Sequence, residues 1–182
     1  LFIWVEDTTM NINKYSILQP PVIFEPRNIP YQNGNSLYYE NFKAVELKFG
    51  IYNWNGKNWI FQNKANNNKV KTNVYSGGIY AALSESEKPI IKNIIPAESG
   101  TYKKNDLNSI TFNCYDILSG INYESIEIYI DDVKYYYDFI KYRKLVRAEI
   151  LNELTKGSHT LKIVVKDNLE NENRIFYTFY IK

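Results

Sequence analysis

The chain has one cysteine and one histidine in 182 residues. A lone cysteine excludes an internal disulfide and any multi-cysteine metal site. Hydrolytic zinc needs about three protein ligands, commonly His with a carboxylate, and Cys114 and His159 stand far apart in sequence, which argues against a catalytic zinc. So little cysteine suits either cytoplasm or a bacterial envelope that does not rely on disulfides. No apolar run approaches the roughly 18 residues of a bilayer span, so no transmembrane segment is expected. Charge of one sign is also lacking. The 22 basic and 20 acidic residues leave a net +2 and are scattered along the chain, so nothing tracks a phosphate backbone and no nucleic-acid partner is expected. The start lacks the basic, apolar and small-residue succession of a signal peptide. Leu1-Phe-Ile-Trp-Val5 reads instead as a strand entered partway. The expectation is that Leu1 is an internal cut of a longer protein, with any export signal upstream.

What the chain has is aromatic and β-forming. Seventeen Tyr, nine Phe and three Trp sit among many Ile, Val and Asn, and Ala is scarce, which favours strands and turns over helix. Apolar content of 45% is enough for a buried core in each of two domains of about 90 residues, the usual size of an immunoglobulin-like sandwich. The polar, proline-ended Ser84-Glu-Ser-Glu-Lys-Pro89 follows apolar Gly78-Ile-Tyr-Ala-Ala-Leu83 and marks a boundary. The fold expected is all-β: an irregular β-sandwich over 1–88, and over 89–182 a second sandwich of immunoglobulin or fibronectin-III type.

In the first domain, Phe49-Gly-Ile-Tyr-Asn-Trp54 and Trp59-Ile-Phe-Gln62 flank Asn55-Gly-Lys-Asn58, a strong hairpin signal that brings the two tryptophans together. Lys69-Val-Lys-Thr-Asn-Val-Tyr75 alternates like a strand with one wet face, after a turn at Asn66-Asn-Asn68. Pro20, Pro21, Pro26 and Pro30 cut the preceding chain into short pieces around Val22-Ile-Phe24. In the second domain six strands are expected, at 90–95, 109–115, 125–130, 133–137, 160–165 and 175–181. The segment 142–154 is ambiguous: Val146, Ala148 and Ile150 alternate as in a strand, whereas Leu145, Ala148, Leu151 and Leu154 recur as on a helix face. A sandwich needs a seventh strand, which favours strand followed by a short turn.

Two phrases repeat a grammar, Asp116-Ile-Leu-Ser-Gly-Ile121 and Asp167-Asn-Leu-Glu-Asn171, each an Asp at the end of a β run followed by turn-forming residues. Such an Asp ordinarily bonds nearby backbone amides. Carboxylates and turn carbonyls also supply hard oxygen ligands, so Asp116 and Asp167 are the candidate calcium ligands; the D-x-[DN]-x-[DN]-G pattern is absent, and no other cofactor is expected. These two with Asp131, Asp132 and Glu170 are also the carboxylates that glycosidase chemistry would need. Asp131-Asp132 reads more simply as a two-residue hairpin tip. His159, in Gly-Ser-His-Thr, is expected to order a turn or stand exposed, and Cys114 to be a small buried hydrophobe. Trp54, Trp59 and Tyr136 are candidate platforms for sugar stacking, against core packing as the plainer reading.

The strings Phe49 to Trp59, Gly78 to Leu83, Lys88-Pro-Ile90, Asp116 to Ile121, Tyr129-Ile-Asp131, Gly157-Ser-His-Thr-Leu161 and Asp167 to Asn171 together resemble the paired β-sandwich region at the C-terminus of some bacterial exported proteins. Lysostaphin-type peptidoglycan metallopeptidases are among these. The resemblance spans most of residues 45–182. Such peptidases hold zinc on a His, an Asp and a second His within their own domain, so the resemblance implies that this segment is the accessory part and any catalytic domain lies upstream. Glu170 departs from it, standing where the second loop commonly has Gly. The expected function is a non-catalytic spacer or docking module of a periplasmic, cell-surface or secreted protein. Its partners would be neighbouring domains of the same polypeptide, peptidoglycan or another envelope protein. The alternatives are a glycan-binding module using exposed aromatics, or a structural subunit of a surface adhesin or filament in which Leu1 to Val5 pairs with an edge strand of another chain.

Overall fold

The computed structural model describes residues 2–4, 15–40 and 47–182, and the chain divides into two compact units, Leu1–Glu87 and Lys88–Lys182. Both are built of strands; among the described residues the helical content is three one-turn 3₁₀ segments, Lys104–Asp106, Tyr123–Ser125 and Lys141–Arg143. The protein is all-β, as its composition implied. No helix of the described residues is long and apolar enough to cross a membrane.

The first unit contains β1 (Phe2–Trp4), β2 (Ser16–Ile17), β3 (Val22–Phe24), β4 (Pro30–Glu40), β5 (Phe49–Trp54), β6 (Trp59–Lys64), β7 (Lys69–Ser76) and β8 (Gly78–Ser84). One sheet runs β1-β3-β8-β5-β6 with β2 also on β8, and β4 pairs with β7 as a second layer. The core is the inward alternate set of both layers, including Phe24, Phe49, Ile51, Tyr80 and Ala82 from one and Leu37, Tyr39, Val70 and Val74 from the other. Tyr52, Trp59, Ala81 and Leu83, on the opposite face of the larger sheet, are buried as well. The strand expected over Leu1 to Val5 is present as β1, which pairs antiparallel with β3 of the same chain; Leu1 and Val5 themselves lie outside the described residues. Among the described residues β1 is the terminal strand of its sheet, with β3 on one side only.

The second unit contains β9 (Ile90–Ile95), β10 (Thr101–Tyr102), β11 (Ser109–Tyr115), β12 (Glu127–Ile130), β13 (Val133–Tyr135), β14 (Asp138–Ile140), β15 (Leu145–Glu149), β16 (Gly157–Lys166) and β17 (Glu172–Ile181). They form two sheets, β14-β15-β11-β9 and β10-β17-β16-β12-β13. In immunoglobulin lettering these are the D-E-B-A sheet and a G-F-C sheet extended by C′. The leading segment changes sheets after β9, so that β10 pairs parallel with β17. Strict alternation builds the core: Ile110, Phe112 and Cys114 of β11, with Val146 and Ala148 of β15, face Ile128, Ile130, Leu161, Ile163, Val165 and Phe179. Cys114 is fully buried, and burial pushes its thiol pKa up to about 12, so it serves as a small apolar side chain.

Two expectations are corrected here, and the ambiguous segment 142–154 takes the favoured form. The strand expected over 133–137 stops at Tyr135, and the chain crosses at residues 136–137 to the other sheet, where β14 pairs with β15. Two short strands, β10 and β14, add to those anticipated. The segment 142–154 resolves as strand, β15, followed by irregular chain.

Candidate functional site

The two Asp phrases form facing loops at one end of the second sandwich. Asp116 leaves β11 and accepts hydrogen bonds from the backbone N–H of Leu118 (3.0 Å) and Gly120 (2.9 Å) on Oδ2. Gly120 has φ +82°, a conformation a side chain strongly disfavours. Asp167 leaves β16 in the same way: its Oδ1 accepts from the N–H of Leu169 and of Asn171, both at 2.8 Å, and its Oδ2 from the Asn171 amide, also at 2.8 Å. The loops then tie to each other, with Asn168 N–H donating to the Gly120 carbonyl (2.9 Å) and the Asn168 amide to the Ser119 carbonyl (2.8 Å). Glu170 has φ +65°, which gives a physical reason why glycine suits this position.

Carboxylate oxygens of Asp116 and Asp167 lie within 4.8 Å of each other. Asp167 is 0% exposed. Burial raises its pKa above the ordinary value, the Asn171 and Leu169 hydrogen bonds oppose that shift, and the neighbouring Asp116 charge adds to it. Both side chains act as caps that close their loops. The five N–H donors engage three of the four carboxylate oxygens, Asp116 Oδ2 and both oxygens of Asp167.

His159 departs from its expected position. The Gly-Ser-His-Thr stretch is already strand β16, and the imidazole is 5% exposed, stacked near Phe179. Nδ1 lies 2.5 Å from Asp131 Oδ2 and Nε2 lies 2.7 Å from the Thr155 carbonyl. A neutral imidazole has one donor, and here both nitrogens face acceptors, so the imidazolium fits the site. Burial alone would lower its pKa, but the Thr155 and Asp131 contacts outweigh that and raise it above 6.5. Asp131 also accepts the Thr160 N–H at 2.8 Å. Asp131 and Asp132 form the expected hairpin tip, with φ of 49° and 65° between paired Ile130 and Val133.

The candidate aromatics separate. Trp54 and Trp59 pair across the β5–β6 hairpin, with ring centroids 5.3 Å apart. Trp59 is only 5% exposed, so it offers no open ring face and its role as a sugar platform is corrected to packing; Trp54 is half-buried. Tyr136 is 91% exposed. It lines a groove of about 450 Å³ beside the crossing between sheets, together with Val133, Asp138, Arg147, Glu149 and Leu151. The last three come from the segment whose structure the sequence left ambiguous, so Tyr136 was singled out by residue type but the groove around it was not.

No protein-family model and no curated protein matches the chain. Among solved structures, CopC from Methylosinus trichosporium OB3b is similar over 52% of this chain and 93% of its own, at 13% identity and a TM-score of 0.41. Dimeric latent PorU from Porphyromonas gingivalis is similar over 82% of this chain and 20% of its own, at 12% identity and a TM-score of 0.40.

Proposed function

We propose that the chain is a non-catalytic accessory module, spacing or docking neighbouring parts of a larger bacterial envelope or secreted protein. In some parents the attached domain would be a peptidoglycan metallopeptidase. One observation carries this reading: the side chains best suited to acid–base chemistry are committed to joining loops. Asp116 and Asp167 cap the two end loops through backbone amides. His159 and Asp131 bind each other and fasten the β12–β13 hairpin to the chain at Thr155. A general base must reach a substrate proton, and a buried imidazole with both nitrogens occupied is poorly placed to do so. Loops and open strand edges of a sandwich are instead the usual surfaces for contact. The natural partners are adjoining domains of the same polypeptide, peptidoglycan or another envelope protein, at a periplasmic, cell-surface or secreted location. Reading the gene upstream of the codon for Leu1 tests this. An export signal followed by a further domain is the expected result; a cytoplasmic start without an export signal would contradict it.

A further inference from the structure

We propose that the groove beside the β13–β14 crossing is a binding site for a neutral pyranose glycan, with Tyr136 as its stacking surface. The inference goes beyond the accessory role and does not depend on it. The volume of about 450 Å³ falls within the roughly 300–1,000 Å³ typical of small-ligand sites. Its location follows from the fold: the chain leaves one sheet at Tyr135 and joins the other at Asp138, and the crossing residue Tyr136 stands outside both sheets. A tyrosine 91% exposed gains nothing for the core.

The lining has the chemistry of a polyhydroxylated ligand. Tyrosine ring faces carry negative quadrupolar charge, which suits the apolar, weakly positive C–H face of a pyranose, and Leu151, 88% exposed, extends the apolar floor. Arg147 sits directly across from Asp138 in the β14–β15 register, and its Nε bonds Glu149 Oε1 at 2.7 Å along the same strand. Opposed and alternate residues share a sheet face. The site therefore sets a donor-only guanidinium between two acceptor-only carboxylates, with the two-way amide of Asn152 nearby. Sugar hydroxyls both donate and accept, so they can use all of these groups. The lining holds Lys134 and Arg147 against Asp138 and Glu149, and this balance favours an uncharged ligand over an acidic or basic one.

The test is retention of the whole chain on insoluble cellulose and chitin, and its retardation in native gels containing soluble neutral polysaccharides, with polygalacturonate as the acidic comparator. The expected result is binding to at least one neutral glycan, weakened at least about tenfold by Tyr136→Ala, as for a central aromatic contact, and also weakened by Glu149→Gln. Both positions are exposed or half-exposed, and an unchanged melting temperature establishes that each variant is folded. No retention by any neutral glycan would overturn the proposal. So would retention that Tyr136→Ala leaves intact, stronger binding to polygalacturonate than to neutral glycans, or sedimentation as a dimer that Tyr136→Ala dissociates.

Discussion

His159 shows how far one side chain can depart from its local sequence context. Gly157 and Ser158 made a turn the natural expectation, yet ten residues from Gly157 to Lys166 form one strand, because β17 offers ten partners in register. The imidazole then meets an acceptor on each side, and its proton becomes structural. Its pKa in the folded chain is above 6.5 and therefore above the unfolded value. The bond's contribution to stability is full below about pH 6.5 and is lost as pH rises through the folded value. As the sequence holds one histidine, its Cε1 proton resonance reports this without ambiguity. The midpoint is expected above 6.5 in the native chain and lower in Asp131→Asn; a native midpoint at or below the ordinary value would contradict the assignment.

The paired Asp loops and the strands they leave were legible as elements, since a capping Asp and a strict alternation such as that of Ser109–Tyr115 have direct physical causes. Other elements were not. β4 includes Pro, Gly and adjacent polar residues within Pro30–Glu40, so its apolar signal is weak, and its register with β7 shifts between Pro30 and Asn35. β10 and β14 have two and three residues, too few for any period, and exist because a neighbouring strand presents free backbone groups. Replacing Asp167 with Ala would strand the N–H groups of Leu169 and Asn171 in a buried place. A loss of about 3 kcal/mol in urea denaturation is expected, and a loss under about 1 kcal/mol would show that the cap is dispensable. Because capping engages both oxygens of Asp167 and one of Asp116, the melting temperature is expected to be the same with calcium and with chelator. Calcium-dependent stabilisation would indicate a bound ion.

For the molecule as a whole, the sequence made the all-β class legible through its aromatic and β-branched composition and its turn residues. The groove was not legible, because its walls come from two separated segments, 133–138 and 147–152, and only folding brings them together. The same separation applies to His159 and Asp131. Asp116, Asp131, His159 and Asp167 are thus engaged in the folded chain, while Tyr136, a stacking candidate by residue type, lies open in a groove that only folding assembles. The most direct measurement of the accessory role is an assay of the purified chain on peptidoglycan and on glycan substrates, following soluble products. The account predicts no release above buffer. Turnover that disappears in Asp116→Asn, Asp131→Asn or Asp167→Asn variants that remain folded would contradict it.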